Sequence, residues 1–169
     1  MNHKIQVVST RLRWSVLAIG LLAVGILLIN FFLFDKYLFN SANPFLRELW
    51  AQDDQYRPLL LIGQVPTIVL FGLFIYWLWR LFGQYAKGDY FDKESDRCYL
   101  WLVCLYGAII PLRAIESAWI SYIYYMHSEE VSLHLPFDIG RILTLFVLVS
   151  IFFILRAAKQ IDQENKEFV

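Results

Sequence analysis

Four long apolar stretches govern what this 169-residue chain can fold into, at about 14–34, 59–79, 98–122 and 135–155. A membrane-crossing helix needs about 20 mostly apolar residues, because each residue advances about 1.5 Å through a hydrocarbon layer about 30 Å thick. Four such stretches predict an all-α chain, a four-helix integral membrane bundle forming one domain over residues 1–169. The chain is 59% hydrophobic, above the roughly 45–50% of soluble domains. The first stretch is longer than a signal-peptide core and has no clean small-x-small cleavage site, so it is expected to stay attached.

Lys and Arg placement orients the bundle. Lys4, Arg11 and Arg13 precede the first span; Arg80, Lys87, Lys93 and Arg97 lie between the second and third; Arg156, Lys159 and Lys166 follow the fourth. The other two connectors hold three basic residues in all (Lys36, Arg47 and Arg57). Ten against three places both termini on the cytoplasmic side of a membrane crossed four times. Trp14, Trp77, Trp79 and Trp101 fall at the inner boundary, and Trp50 and Trp119 near the outer one, as an aromatic belt requires.

The connectors carry their own signals. Asn43-Pro44 is a helix start, and Phe45, Leu46, Leu49 and Trp50 then share one face. They predict a short amphipathic helix in the first outer loop, lying on the membrane surface or capping the bundle. In the inner connector the second helix should run to about Ala86 and stop at Gly88, with Asp92 as N-cap of the third. Charges alternate in sign from Asp89 to Arg97, which reads as a self-compensating hairpin rather than a basic lipid-binding patch.

The run Tyr85-Ala86-Lys87-Gly88-Asp89-Tyr90-Phe91 resembles an element of a bacterial family of unknown function, made of small four-span inner-membrane proteins. There a glycine-then-phenylalanine element sits in the inner hairpin; Tyr85, Gly88 and Phe91 carry the likeness here. The tail, Arg156-Ala157-Ala158 with Ile161, Glu164 and Glu167-Phe168-Val169, is similar to the family's helical tail. The resemblance implies the membrane location and four-helix layout. Some members are encoded beside small DNA-binding regulators, which implies a regulatory or stress-linked role. It supplies no catalytic residues.

Ionisable residues inside apolar runs mark candidate sites, because a charge at the bilayer centre costs about 2.5–3.5 kcal/mol on insertion scales. Arg113 and Glu116 lie inside the third span, one helical step of three apart. Asp138 and Arg141 open the fourth, Gln64 lies near the outer start of the second beside Pro66, and Asn30 near the outer end of the first. Counting residues from each boundary puts them all in the outer third of the bilayer. Arg113, Arg141, Glu116 and Asp138 balance in charge and could form an inter-helical salt-bridge set. Two uses stay open: polar glue that fixes helix partners, or a cavity holding a small polar ligand, a lipid headgroup or a proton.

Other chemistry finds little footing. His127, His134, Glu129 and Glu130 fit no metal-ligand spacing, and Cys98 and Cys104 read as packed, reduced thiols. No nucleophile–base set, nucleotide loop, cofactor motif or nucleic-acid-binding basic patch is present in the sequence. The expectation is a non-enzymatic membrane protein acting through a membrane or regulatory protein partner, or a second copy of itself. Its contact surfaces would be the inner hairpin and the tail. The alternative is a small-molecule or lipid binder or transporter that uses the polar layer.

Overall fold

A computed structural model describes residues 2–34, 46, 48–50, 55–88, 92–128 and 138–167. Four long helices dominate it: α1 (Asn2–Phe34), α2 (Arg57–Lys87), α3 (Lys93–Ser128) and α4 (Ile139–Glu167). Each contains a segment long and apolar enough to cross a membrane: Gln6–Leu33, Arg57–Lys87, Lys93–Met126 and Ile139–Ala157. The helices outrun the apolar stretches because backbone hydrogen bonding does not stop where lipid would. The fourth begins after Asp138 rather than at Leu135; Leu135–Phe137 lie outside the described residues.

Helix ends follow local chemistry. Gly88 ends α2 at φ +93°, a left-handed conformation that suits glycine, and its N–H donates to the Tyr85 carbonyl at 3.2 Å. Asp92 stands at the N-cap position of α3, its carbonyl accepting from the Asp96 N–H at 3.2 Å. Asp138 caps α4 with both its carbonyl and its Oδ1, which accept from the Arg141 N–H at 3.2 and 3.4 Å.

The outward faces are apolar. Ile19, Leu21, Leu22, Phe32 and Leu33 of α1, and Ile139, Leu143, Phe146, Phe153 and Ile154 of α4, are all mostly exposed. Side chains this large and this contiguous are stable against hydrocarbon, not against water.

The chain divides into two compact units. One comprises residues 1–18, 73–108 and 138–169. In it Leu81, Cys98 and Leu102 are buried, with Phe74, Trp77, Leu78, Tyr85 and Tyr99 packed around them. Trp77 of α2 stacks on Trp101 of α3 at 5.5 Å, and Tyr99 of α3 on Phe152 of α4 at 5.8 Å. The Tyr99 hydroxyl donates to the Leu148 carbonyl at 3.1 Å, and the Arg13 guanidinium of α1 lies over Trp79 at 4.1 Å. Consecutive helices are therefore neighbours there, α3 and α4 among them.

The other unit comprises residues 19–72 and 109–137. Its core joins Leu60 of α2 to Ile120, Ile123 and Tyr124 of α3, and to Leu46, Leu49 and Trp50 of the preceding connector. The full extent of the amphipathic helix expected after Asn43-Pro44 lies outside the described residues, but its apolar residues Leu46, Leu49 and Trp50 are spent on this core. Arg57 holds them down, donating to the Trp50 carbonyl at 3.3 Å and lying over the Trp50 ring.

Gly63 sets the α2–α3 spacing in this unit. A Cβ there would meet Trp119 Cδ1 at 2.6 Å and Nε1 at 2.9 Å. That indole is also fixed, its Nε1–H donating to the Leu59 carbonyl at 3.1 Å. Gly63→Ala should therefore lower the thermal midpoint in detergent: overpacking costs about 1–3 kcal/mol, against a helix-propensity gain of about 1 kcal/mol. Gly72→Ala, which meets open space, should hold or raise it. Circular dichroism melts of the two variants compare them directly.

Candidate functional site

Most small polar groups on these helices solve their own problem. Thr10, Ser15, Thr144 and Ser150 each donate from the hydroxyl to the carbonyl four residues earlier, at 2.8–3.0 Å. Asn30 does the same through its amide nitrogen, to Ile26 at 2.9 Å. Such back-bonds are the local way to satisfy a polar side chain where water is absent. Asn30 was expected to offer its amide to a shared polar layer; one of its two N–H donors is spent within α1.

One seam does not follow this pattern. Gln64 on α2 is fully buried, yet neither its Oε1 nor its Nε2 has a hydrogen-bond partner among the described residues. Glu116 on α3 is 2% exposed, and neither carboxylate oxygen has one. Thr67 Oγ1, Ser121 Oγ and Arg113 Nε share that condition. All these atoms belong to α2 and α3 in the unit that holds the Leu60 core.

Helix geometry places Gln64 and Glu116 opposite each other. Leu60 and Ile120 belong to one buried cluster, and Trp119 is bonded to Leu59, so α2 and α3 run antiparallel and in register here. Gln64 lies one turn past Leu60 on α2, and Glu116 one turn before Ile120 on α3. Steps of four residues keep the same face, so both project into the seam at one level. A further turn along brings Thr67 on α2 and Arg113 on α3. Pro66 and Pro111, both inside these helices, each remove a backbone donor. The Ile62 and Gly107 carbonyls thereby lose their helical N–H partners.

Arg113 is the only described counter-charge to Glu116. Nη1 lies 3.7 Å from Oε2, beyond hydrogen-bond distance, with a fifth of the Arg113 side chain exposed (21%). The pair is a loose one. Asp138 and Arg141 lie in the other unit and close on each other, Nε to Oδ2 at 2.9 Å, with both side chains partly exposed. Each of the two pairs is an i,i+3 contact within its own helix or helix cap.

The remaining sequence candidates are placed as follows. Tyr85 packs in the Leu81–Cys98–Leu102 cluster and Gly88 makes the α2 stop, while Phe91 lies outside the described residues. Cys98 is buried, Cys104 is exposed, and both are free thiols. His134, Glu129 and Glu130 lie outside the described residues. Ser121 and Thr67 are not among the residues that the sequence singles out. Their i+3 and i+4 spacing to buried neighbours was the available signal. No protein-family model, curated protein or solved structure matches this chain.

Breaking the pair tests the seam. Arg113→Ala leaves a buried carboxylate with no counter-charge and should cost about 3 kcal/mol, the low end for a broken buried pair. Glu116→Gln removes the charge and should cost less than half of that. The double variant should fall near Glu116→Gln alone. Denaturant titrations in mild detergent, read as a double-mutant cycle, measure the coupling.

Proposed function

We propose that this chain is a four-span protein of a bacterial inner membrane, with both termini cytoplasmic, that binds a small ammonium-type cation in the α2–α3 seam. The carrying observation is Gln64: fully buried, level with Glu116, and with both amide atoms lacking a hydrogen-bond partner among the described residues. Polar glue works only when the polar atoms find each other. Here they face the seam instead, at about 1–3 kcal/mol per unsatisfied group.

The donor–acceptor balance sets the ligand class. Glu116 offers two carboxylate oxygens and Gln64 an amide oxygen beside its Nε2 donor, with the Thr67 hydroxyl a turn along. The carboxylate is anionic and only accepts, so an N–H-bearing cation is complementary to it, with the Gln64 oxygen as a further acceptor. Arg113 is held only at 3.7 Å and partly exposed, so it can yield Glu116 to such a ligand. Under the proposed topology the seam lies in the outer third of the bilayer, one turn from the core that Leu46, Leu49 and Trp50 share with Leu60.

Methylammonium and tetramethylammonium separate charge from hydrogen bonding. Methylammonium should raise the thermal midpoint of the purified protein in neutral detergent, and tetramethylammonium, which has no N–H, should not. Glu116→Gln should abolish the shift. Equal responses to the two cations, or an unchanged shift in the variant, would refute the reading.

A second reading, action through a regulatory protein partner, is favoured by one observation. Helix α4 continues to Glu167, well past Ala157, where its apolar segment ends. That extension is a polar helical arm on the cytoplasmic side of the proposed topology. It predicts a stoichiometric protein partner on purification in mild detergent, lost when the chain is cut after Ala157.

A further inference from the structure

A cavity of about 150 Å³ opens between α2 and α3 near the end of α2, lined by Trp77, Arg80, Glu94, Arg97 and Cys98. We propose that it receives a phosphate group. It lies in a different unit from Gln64 and Glu116, so it stands or falls independently of the cation site.

The charges around the cavity are sorted. Along the sequence Asp92, Glu94 and Asp96 alternate with Lys93 and Arg97, which predicts self-compensation. Folding changes this: Asp92 and Asp96 do not line the cavity, whereas Arg97 does, joined from α2 by Arg80. The lining therefore carries two guanidinium groups and one carboxylate. Glu94 is already engaged, by Arg80 Nη2 at 3.5 Å and by the Gln84 amide, whose Nε2 donates to Oε2 at 2.6 Å. Arg97 has no ion-pair partner among the described residues. Its fork of N–H donors is free for a tetrahedral oxyanion, the ligand that guanidinium geometry fits best.

The walls suit the same ligand. Arg80 lies over the Trp77 ring at 5.3 Å, and Trp77 is stacked on Trp101, so one side is a rigid indole face that orients the guanidinium. A water takes about 30 Å³ of liquid, so the space suits a phosphate with part of its ester, not a nucleoside or an acyl chain. In the topology proposed above, the cavity sits at the cytoplasmic interface. Anionic phospholipid headgroups lie at this depth, and basic pockets between helices bind them there. The phosphate could belong to such a lipid or be free in solution; the chemistry of recognition is shared.

Native mass spectrometry of the full chain in neutral detergent separates the sources. One arm offers dioleoylphosphatidylglycerol against dioleoylphosphatidylcholine, whose zwitterionic headgroup controls for lipid binding in general. The other offers inorganic phosphate, read as a shift in thermal midpoint. Arg97→Ala removes a side chain without a described partner, so the fold should persist. It should weaken the favoured probe about fivefold, the scale of one basic side chain at an anionic surface. Glu94→Gln, which removes the opposing carboxylate, should strengthen it. Preference for phosphatidylglycerol that is lost in Arg97→Ala supports the site with a lipid source. A phosphate-induced shift lost in the same variant supports it with a free source. If neither probe distinguishes wild type from Arg97→Ala, the proposal is overturned.

Discussion

Hydrocarbon offers no hydrogen bonds, and that single deficit organises this chain. Every backbone N–H and carbonyl in an apolar segment must be paired within the segment, which leaves helix as the continuous solution. The exposed apolar side chains of α1 and α4 need no protein cover where lipid can cover them. Packing is needed only where helices meet, and there it uses aromatic planes and close approaches rather than a large core. Trp77 on Trp101, Tyr99 on Phe152 and Trp119 against Gly63 are the contacts that join neighbours. Two of these rings also bond a backbone carbonyl on the facing helix, Tyr99 to Leu148 and Trp119 to Leu59. Such a bond fixes rotation as well as distance, which dispersion alone leaves loose.

How much could be read from the sequence depends on what each signal rests on. The four helices were legible because length and apolarity are sums over many residues. The stops at Gly88 and Asp92 were legible because φ and capping are local. The order of Gln64, Arg113 and Glu116 along their helices was legible because a helix rises at a constant rate per residue. Which of the polar residues face one another was not. That depends on helix rotation, set by contacts such as Trp119 with Leu59 that no local pattern encodes. Asn30 shows the limit: its amide closes on Ile26 in its own helix. Asp138 and Arg141 show it again, because an i,i+3 pair satisfies both charges before any neighbour is required. The inner hairpin shows a further dependence on folding. Its alternating charges suggested cancellation along the chain, but a helical turn carries Arg97 to the cavity while Asp92 and Asp96 stay off its wall.

Stability alone does not account for the Gln64–Glu116 seam. Polar contacts between membrane helices average about 0.6 kcal/mol, and that return requires the contact to be made. Gln64 makes none among the described residues, and Glu116 has only Arg113 at 3.7 Å. Leucine at position 64 would extend the Leu60 packing face by one turn with no desolvation to offset. Four residues away from it, Leu60 already shows what such a residue does at that seam. A chain that back-bonds Thr10, Ser15, Thr144 and Ser150 within their own helices has a cheap local remedy for stray hydroxyls, and Ser121 and Thr67 do not use it. A carboxylate, a carboxamide and two hydroxyls left open on facing helices form a cost that helix assembly does not repay. The cation proposed above would supply N–H donors and positive charge to the acceptors left open there, the Glu116 carboxylate and the Gln64 amide oxygen.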